Sequence, residues 1–350
     1  MKRIAVIGGG GTGIAVAGDL TERGFQVALC DMPERFERLA AIRDAGGVIE
    51  LTGARSGTGR PELITSDLGA ALRGAELVLV CVMAVHHATL AEAMAEHLKD
   101  GQTVCFSAGN CGSIILKRKL GPKRVTVGEM QGNIFPARLR GINQAHTAFQ
   151  YAKKKAAAFP AGDTPAFLKA LEGVYDCTAA QDVFETTLNS PNVSVHLAAS
   201  LLNIAKMETM EDFRLYRDGL CPSVLKLIAA SEQEKSTVME HMGYACTRSL
   251  NMMETLASGE QDAKLALFKE LEGPIGVGHR YFTEDAFAGN SLLVSLGNEY
   301  GIPTPISYSL IALIKAINGE DYFDRGITLK NLGLSGKSVY GLRMILIEGW

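Results

Sequence analysis

The chain lacks any pairing pattern among its cysteines. Seven are scattered at positions 30, 81, 105, 111, 177, 221 and 246, an odd number with no CxxC. Neither a disulfide framework nor a zinc site is encoded, no metal is expected, and reduced thiols in a cytoplasm are the expectation. No apolar run approaches the roughly 20 residues needed to cross a bilayer, so no membrane partner is expected. An excess of positive charge is missing as well: 35 basic against 38 acidic side chains leave a net charge of −3. Nucleic-acid binders and polybasic membrane proteins need a concentrated positive surface, and this chain has none to offer. The opening MKRIAVIGGGGTGIAV has the basic tip and apolar stretch of a signal peptide. Its five glycines within 13 residues suit a tight turn better than a secretory helix, and no A-x-A site follows. There is no low-complexity tract and no internal repeat.

What is present is a soluble-protein composition, 47% hydrophobic and 21% charged over 350 residues. That length suggests two domains. In the first half, short apolar runs at Ile4 to Ile7, Val27 to Cys30, Leu77 to Val82, Thr103 to Phe106 and Val125 to Val127 alternate with amphipathic stretches. One such stretch carries Leu90, Met94 and Leu98 at helical spacing. Continuous runs such as LVLVCV are what a parallel sheet covered on both faces requires. Strand–helix–strand repetition then gives a doubly wound α/β sheet. The lysines at 153–155 read as a solvated edge strand. After Tyr175 and Asp176 strand patterns fade and helical ones continue, joined by short loops. Ile306, Leu310, Leu313, Ile314 and Ile317 read as a buried helix face, with Pro303 and Pro305 before it and Gly319 after it. The expected organisation is an α/β domain over residues 1–180 and an all-α domain over 181–350.

Gly8-x-Gly10-x-x-Gly13 follows the first strand and opens a helix running through Leu20. Gly8 permits the tight turn, Gly10 lets backbone approach a pyrophosphate, and Gly13 lets helix and strand pack closely. Phosphates would face the helix N-terminus, where free N–H groups and the dipole favour anions. Asp31 ends the second strand 18 residues beyond Gly13, near the spacing of a ribose-binding carboxylate. It favours NAD(H) and disfavours a 2′-phosphate, while Arg35 nearby leaves NADP(H) open. This is the Rossmann pattern of a dinucleotide-binding domain.

The chemistry has to come from elsewhere. His196 lies in ETTLNSPNVSVHLAASLLN, a helix expected to start at Asn189 or Ser190 followed by Pro191; Asn192, four residues before His196, shares its face. Histidine moves protons near neutral pH, although one among Val, Ala and Leu is by default more often a core residue. His86 and His87 follow the fourth strand at its carboxyl end, where they suit supporting or helix-start positions. His97, His146, His241 and His279 offer weaker cases.

TLNSPNVSVHLAASLLN resembles the segment of the opine dehydrogenases that carries their catalytic histidine, and HRYFTEDAFAGNSLLVSLGNEYGIPTPISYSLI resembles their second signature. Further similarities are CVMAVHHATLAEAMA, YRDGLCPSV and RGITLKNLGLSG, so the likeness spans nearly the whole chain. The resemblance implies a Rossmann domain paired with an all-helical domain. It also implies an NADH- or NADPH-dependent reductive condensation of a 2-oxo acid with an amino acid's amino group. Carried over by position, His196 is the general acid/base and Asp285 the carboxylate that orients it and raises its basicity. Arg280 forks onto a substrate carboxylate, and Asn192 positions the substrate or the nicotinamide carboxamide. Met83 stands in the turn beside the nicotinamide where relatives carry proline. The family's HPxP is here His196-Leu197-Ala198-Ala199, a change that lets the helix run straighter and leaves the amine undefined. The implied partners are small molecules, with a homodimer through the helical domain. Two other readings stand beside this one. One is a 2-oxo acid reductase or 3-hydroxy acid dehydrogenase of the same plan, which would use a lysine such as Lys206. The other is a cofactor-binding sensor without turnover.

Overall fold

The computed structural model describes residues 2–259 and 262–350. The chain divides into two compact units, one of Met1–Thr186 with Leu346–Trp350 and one of Thr187–Ile345. The break follows residue 186, and the last five residues belong to the first unit, where the Trp350 ring lies 5.0 Å from that of Phe159.

The first unit contains strands β1 (Arg3–Ile7), β2 (Gln26–Cys30), β3 (Ile49–Gly53), β4 (Gly57–Gly59), β5 (Leu63–Thr65), β6 (Leu77–Val80), β7 (Thr103–Phe106), β8 (Thr126–Met130), β9 (Ala137–Arg140), β10 (Gln144–Thr147), β11 (Lys154–Ala158) and β12 (Cys177–Ala179). Its helices are α1 (Gly11–Glu22), α2 (Glu37–Asp44), α3 (Leu68–Leu72), α4 (His87–His97), α5 (Gly112–Lys119) and α6 (Thr164–Leu171). Eight strands form one sheet in the order β12-β11-β8-β7-β6-β1-β2-β5. Neighbours from β8 to β5 pair in parallel, whereas β11 runs antiparallel to β8 with β12 parallel to it. The order reverses between β1 and β6, the switch point where doubly wound sheets bind ligands beyond their carboxyl ends. Alternation explains the continuous apolar runs. Ile4, Val6, Leu77 and Leu79 enter one core, and Ala5, Ile7, Val78 and Val80 enter the core on the opposite face. Each large aliphatic side chain buried this way contributes about 1.5–3 kcal/mol.

Several local expectations change. The run at 77–82 leaves the sheet after Val80, because Cys81 and Val82 turn to face the glycine loop; the Cβ of any residue at Gly8 would lie 2.6 Å from the Cys81 carbonyl oxygen. The lysines at 153–155 do not make an edge, since β12 lies outside β11 and Lys155 reaches the buried carboxylate of Glu185 at 2.5 Å. A second sheet, ordered β4-β3-β10-β9, was not foreseen. Its strands are short and weakly apolar (GTG, ARLR, QAHT), and it is held against α1, where a Cβ at Gly18 would stand 2.9 Å from Ile49.

The second unit is helical among its described residues, apart from one bridge between Arg214 and Gly273. Following α7 (Val183–Leu188), it comprises α8 (Asn192–Leu201), α9 (Ile204–Thr209), α10 (Leu215–Asp218), α11 (Pro222–His241), α12 (Leu250–Ser258), α13 (Ala266–Lys269), α14 (Arg280–Asp285), α15 (Ser291–Tyr300), α16 (Pro305–Asn318), α17 (Tyr322–Arg325) and α18 (Val339–Glu348) as far as residue 345. Not every connection is short: the chain from Gly326 to Ser338 has no helix or strand. In α16, Leu310, Ile311 and Ile314 are buried, but Leu313 and Ile317 stay about half exposed, so the expected face is wider than the surface that covers it. No helix among the described residues is long and apolar enough to cross a membrane.

Candidate active site

The glycine loop joins β1 to α1. Gly8 has φ +124°, a conformation L side chains rarely adopt, and its N–H donates to the Cys30 carbonyl at 2.7 Å. A Cβ at Gly13 would stand 1.9 Å from the Gly8 carbonyl oxygen, so the helix passes the strand end with no room for a side chain. Gly10 is different. It caps α1 with ordinary extended backbone, and a Cβ there would meet nothing within 4 Å. Nothing in the fold explains a glycine at that position except space kept beside the helix. No side chain caps α1 and no acidic residue stands in its first turn, so the N-terminal N–H groups suit an anion. These residues fit the pyrophosphate of a dinucleotide.

Asp31 follows β2 and is 7% exposed. Its Oδ2 accepts the Gly9 N–H at 2.7 Å and its Oδ1 the Met32 N–H at 2.8 Å. Burial raises its pKa, while those two N–H groups and Arg35 pull it back. Two acceptor oxygens, each with a further lone pair, remain suited to ribose hydroxyls. Met83 caps the short turn Ala84–His86 between β6 and α4. His86 Nδ1 lies 3.4 Å from the Arg35 guanidinium, and burial together with that charge lowers its pKa. His87 is fully buried at the start of α4, edge-on to Phe106, with Nε2 3.2 Å from the Val82 carbonyl. Burial pushes its pKa down to about 4, which keeps it a neutral packing group.

In the second unit, α8 and α14 bring the remaining candidates together. Asn189 does not start α8; it accepts the Thr247 N–H at 2.6 Å and donates to the Ala245 carbonyl at 2.9 Å, and Pro191 is the cap. From there α8 runs unbroken through Leu197 to Leu201. His196 Nδ1 lies 2.8 Å from Asp285 Oδ2, although the two residues are 89 apart in sequence. Asn192, one turn before His196, hydrogen-bonds the same carboxylate. Its side chain therefore supports Asp285, a contact that the spacing on α8 does not foretell. Burial pushes Asp285 up to about 8, against the downward pull of Arg280 and Asn192.

Arg280 begins α14, with its side chain one quarter exposed and Nη1 3.8 Å from Glu284 Oε2. Burial works against its charge, but Tyr281, Glu284, Asp285 and Tyr216 outweigh that effect. Its guanidinium lies 5.1 Å from the centre of the Tyr281 ring, and that ring stacks on His196 at 3.6 Å. The Tyr216 hydroxyl lies 2.9 Å from His196 Nε2. Both tyrosines sit inside segments that carry the family likeness, YRDGLCPSV and HRYFTEDA, but nothing in their spacing marks them as neighbours of His196. Lys206 takes no part: it is exposed, with Nζ 2.7 Å from the Asp218 carbonyl. Among the described residues no cluster of His, Cys, Asp or Glu could hold a metal.

A Rossmann unit with a glycine cradle and a helical unit with a buried His–Asp pair define an NAD(P)-dependent oxidoreductase. The helical half matches the family model of the NAD/NADP octopine/nopaline dehydrogenase α-helical domain over residues 179–318, and residues 4–112 match that of ketopantoate reductase PanE/ApbA. An opine dehydrogenase of Arthrobacter sp. (strain 1C) is 29% identical, with 98% of each chain covered. Octopine dehydrogenase with NADH and L-arginine has a similar fold, with TM-score 0.72, 18% identity, and coverage of 99% of this chain and 98% of that one. Yersinopine dehydrogenase with NADP+ superposes with TM-score 0.65 at 14% identity, covering 100% and 98%. The helical half thus carries the octopine/nopaline dehydrogenase α-helical domain, and the chain is an NAD(P)-dependent oxidoreductase of the kind that acts on CH–NH donors.

Proposed function

We propose that this chain condenses a 2-oxo acid with the amino group of an amino acid and reduces the product to a secondary-amine dicarboxylate, and that it also catalyses the reverse oxidation. The observation that carries this reading is the buried His196–Asp285 pair, with Arg280 five residues earlier on the same helix. Arg280 forks onto the 2-oxo acid carboxylate, a planar anion that matches its donors. That fixes the reacting carbon next to His196. His196 manages the protons of amine addition and water loss, and Asp285 holds the imidazole by Nδ1 so that Nε2 is the exchanging nitrogen. Asn192 keeps Asp285 in place. Nicotinamide, when bound, supplies the hydride. Gly8, Gly10, Gly13 and Asp31 hold the dinucleotide, with Met83 in the turn opposite the glycine loop.

NADH is the preferred donor in this reading, because a 2′-phosphate at Asp31 would meet a carboxylate. Asp31→Ser is expected to raise the NADPH-to-NADH preference by about tenfold or more, read as a ratio of kcat/KM values. A homodimer through the helical unit accompanies the reading, supported by the half-exposed Leu202, Leu313 and Ile317, which line one apolar groove. A cytoplasmic location accords with seven cysteines free of disulfides. The deciding experiment follows NADH and NADPH oxidation with pyruvate, oxaloacetate or 2-oxoglutarate, with and without a panel of amino acids. Turnover that needs both substrates upholds the condensation. Turnover with the 2-oxo acid alone assigns a simple reductase, and NADH binding without turnover assigns a sensor.

A further inference from the structure

His196 has two ring nitrogens, and Asp285 holds Nδ1. Any proton exchanged with a substrate must therefore pass through Nε2, and Nε2 faces the Tyr216 hydroxyl at 2.9 Å. Tyr216 is 3% exposed, its ring packs on Phe268 at 4.2 Å, and its hydroxyl lies 3.4 Å from that of Tyr281. A substrate oxygen reaches Nε2 directly only if this phenol swings away.

The backbone beneath it is fastened against such a movement. Tyr216 lies on α10, where the Leu215 N–H donates to the Gly273 carbonyl at 3.1 Å and the Arg214 N–H to Asp218 Oδ2 at 2.9 Å. Arg214 pairs with Glu270 at 2.6 Å and Asp212 at 3.0 Å, and Arg217 pairs with Asp218 at 2.9 Å. One exposed ion pair fixes little, but several on a single turn restrict where its residues can go.

Resting on the proposed condensation, we infer that Tyr216 is the catalytic group that touches the reacting oxygen, and that His196 acts through it. In the water-loss step the Tyr216 O–H gives its proton to the carbinolamine hydroxyl while Nε2–H passes one to the Tyr216 oxygen. The carbon–oxygen bond breaks, the nitrogen lone pair forms C=N, and water leaves. The phenol is neutral before and after, and the proton spent by His196 is the one that the overall reduction consumes. In carbonyl addition the Tyr216 O–H protonates the carbonyl oxygen as the amine nitrogen adds, His196 Nε2–H resupplies the phenol, and the nitrogen's surplus proton returns to Nε2, so that both groups end as they began.

The test is Tyr216→Phe in the full-length protein. The expected kcat falls about 100-fold, while the NADH Kd and the 2-oxo acid KM stay within about twofold. Its pH profile is expected to lose the plateau and follow solvent acid, falling about tenfold per pH unit. A kcat within about threefold of wild type, or a loss with an unchanged pH profile, overturns the relay. Should the variant fail to fold, 3-fluorotyrosine at 216 keeps the shape and lowers the phenol pKa. The basic limb of kcat then moves to lower pH, and an unmoved limb overturns the relay. If the wild-type chain reduces the 2-oxo acid without an amine, the condensation reading fails by itself, and the same variant judges the relay on the alcohol-forming reaction. A wild-type chain with no turnover at all overturns both.

Discussion

Above about pH 8, where the buried Asp285 is ionised, replacing it by asparagine removes a charge and little else, because the two side chains have nearly the same shape. In the wild-type protein the carboxylate lies 2.8 Å from Nδ1 of His196. Taking the charge centres as about 4 Å apart, at an effective dielectric of about 20, the pair stabilises the imidazolium by about 4 kcal/mol. The asparagine oxygen still accepts the Nδ1–H, which restores about 1 kcal/mol. The remaining loss of about 3 kcal/mol corresponds to a fall of about 100-fold in kcat. The assay is nicotinamide oxidation with saturating 2-oxo acid and amino acid at about pH 9, above the value of about 8 to which burial raises Asp285, with NADH affinity measured separately by fluorescence and expected to be unchanged. Residues acting as one unit do not add, so Asp285→Asn combined with His196→Ala is expected to be no slower than His196→Ala alone. A single variant within about threefold of wild type, or a double variant slower by the full product, would refute the account of Asp285 as the partner of His196.

Burial raises the Asp285 pKa from 3.8 to about 8, so between those values the folded protein binds a proton that the unfolded chain does not. The contribution of this group to stability is therefore largest at low pH and is lost as pH rises through that window. Asp285→Asn lacks it, and its denaturation midpoint relative to wild type is expected to climb from about pH 5 to about pH 8; a flat difference contradicts the buried carboxyl. Arg280→Lys gives up the two-pronged grip on the carboxylate and is expected to raise the 2-oxo acid KM by about 10–100-fold with NADH affinity intact. The glycine loop separates two roles. Gly13→Ala forces a Cβ onto the Gly8 carbonyl and is expected to cost on the order of 3 kcal/mol of stability. Gly10→Ala meets open space, so its melting temperature is expected to hold while its NADH Kd rises about tenfold or more.

The Rossmann half was legible because its signals are local. The strand ending at Ile7, the glycines after it and the helix that follows lie within 22 residues. Two-sided burial writes itself into the sequence as unbroken apolar runs such as that of Leu77–Val80. The second sheet carried no such mark, since strands of three to five residues, each with glycine, arginine or histidine, gain their order from α1 and from one another. The half-exposed Leu313 and Ile317 mark the same limit: helical periodicity says which residues share a side but not how far the neighbouring helices reach across it.

By itself, then, the sequence determined the fold class, the dinucleotide turn and, through motifs spread over the chain, the likeness to the opine dehydrogenases. Those features depend on residues close together along the backbone or on whole segments retained as units. Of the side chains that surround the imidazole, Asp285 was expected only through the family resemblance, while Tyr216 and Tyr281 were decided by tertiary structure alone. Asp285 meets it from 89 residues away and Tyr216 from 20, across a helix packing whose geometry no spacing rule encodes. Burial then shifts the carboxyl pKa by several units, and the shift exists only once the surrounding helices have excluded water.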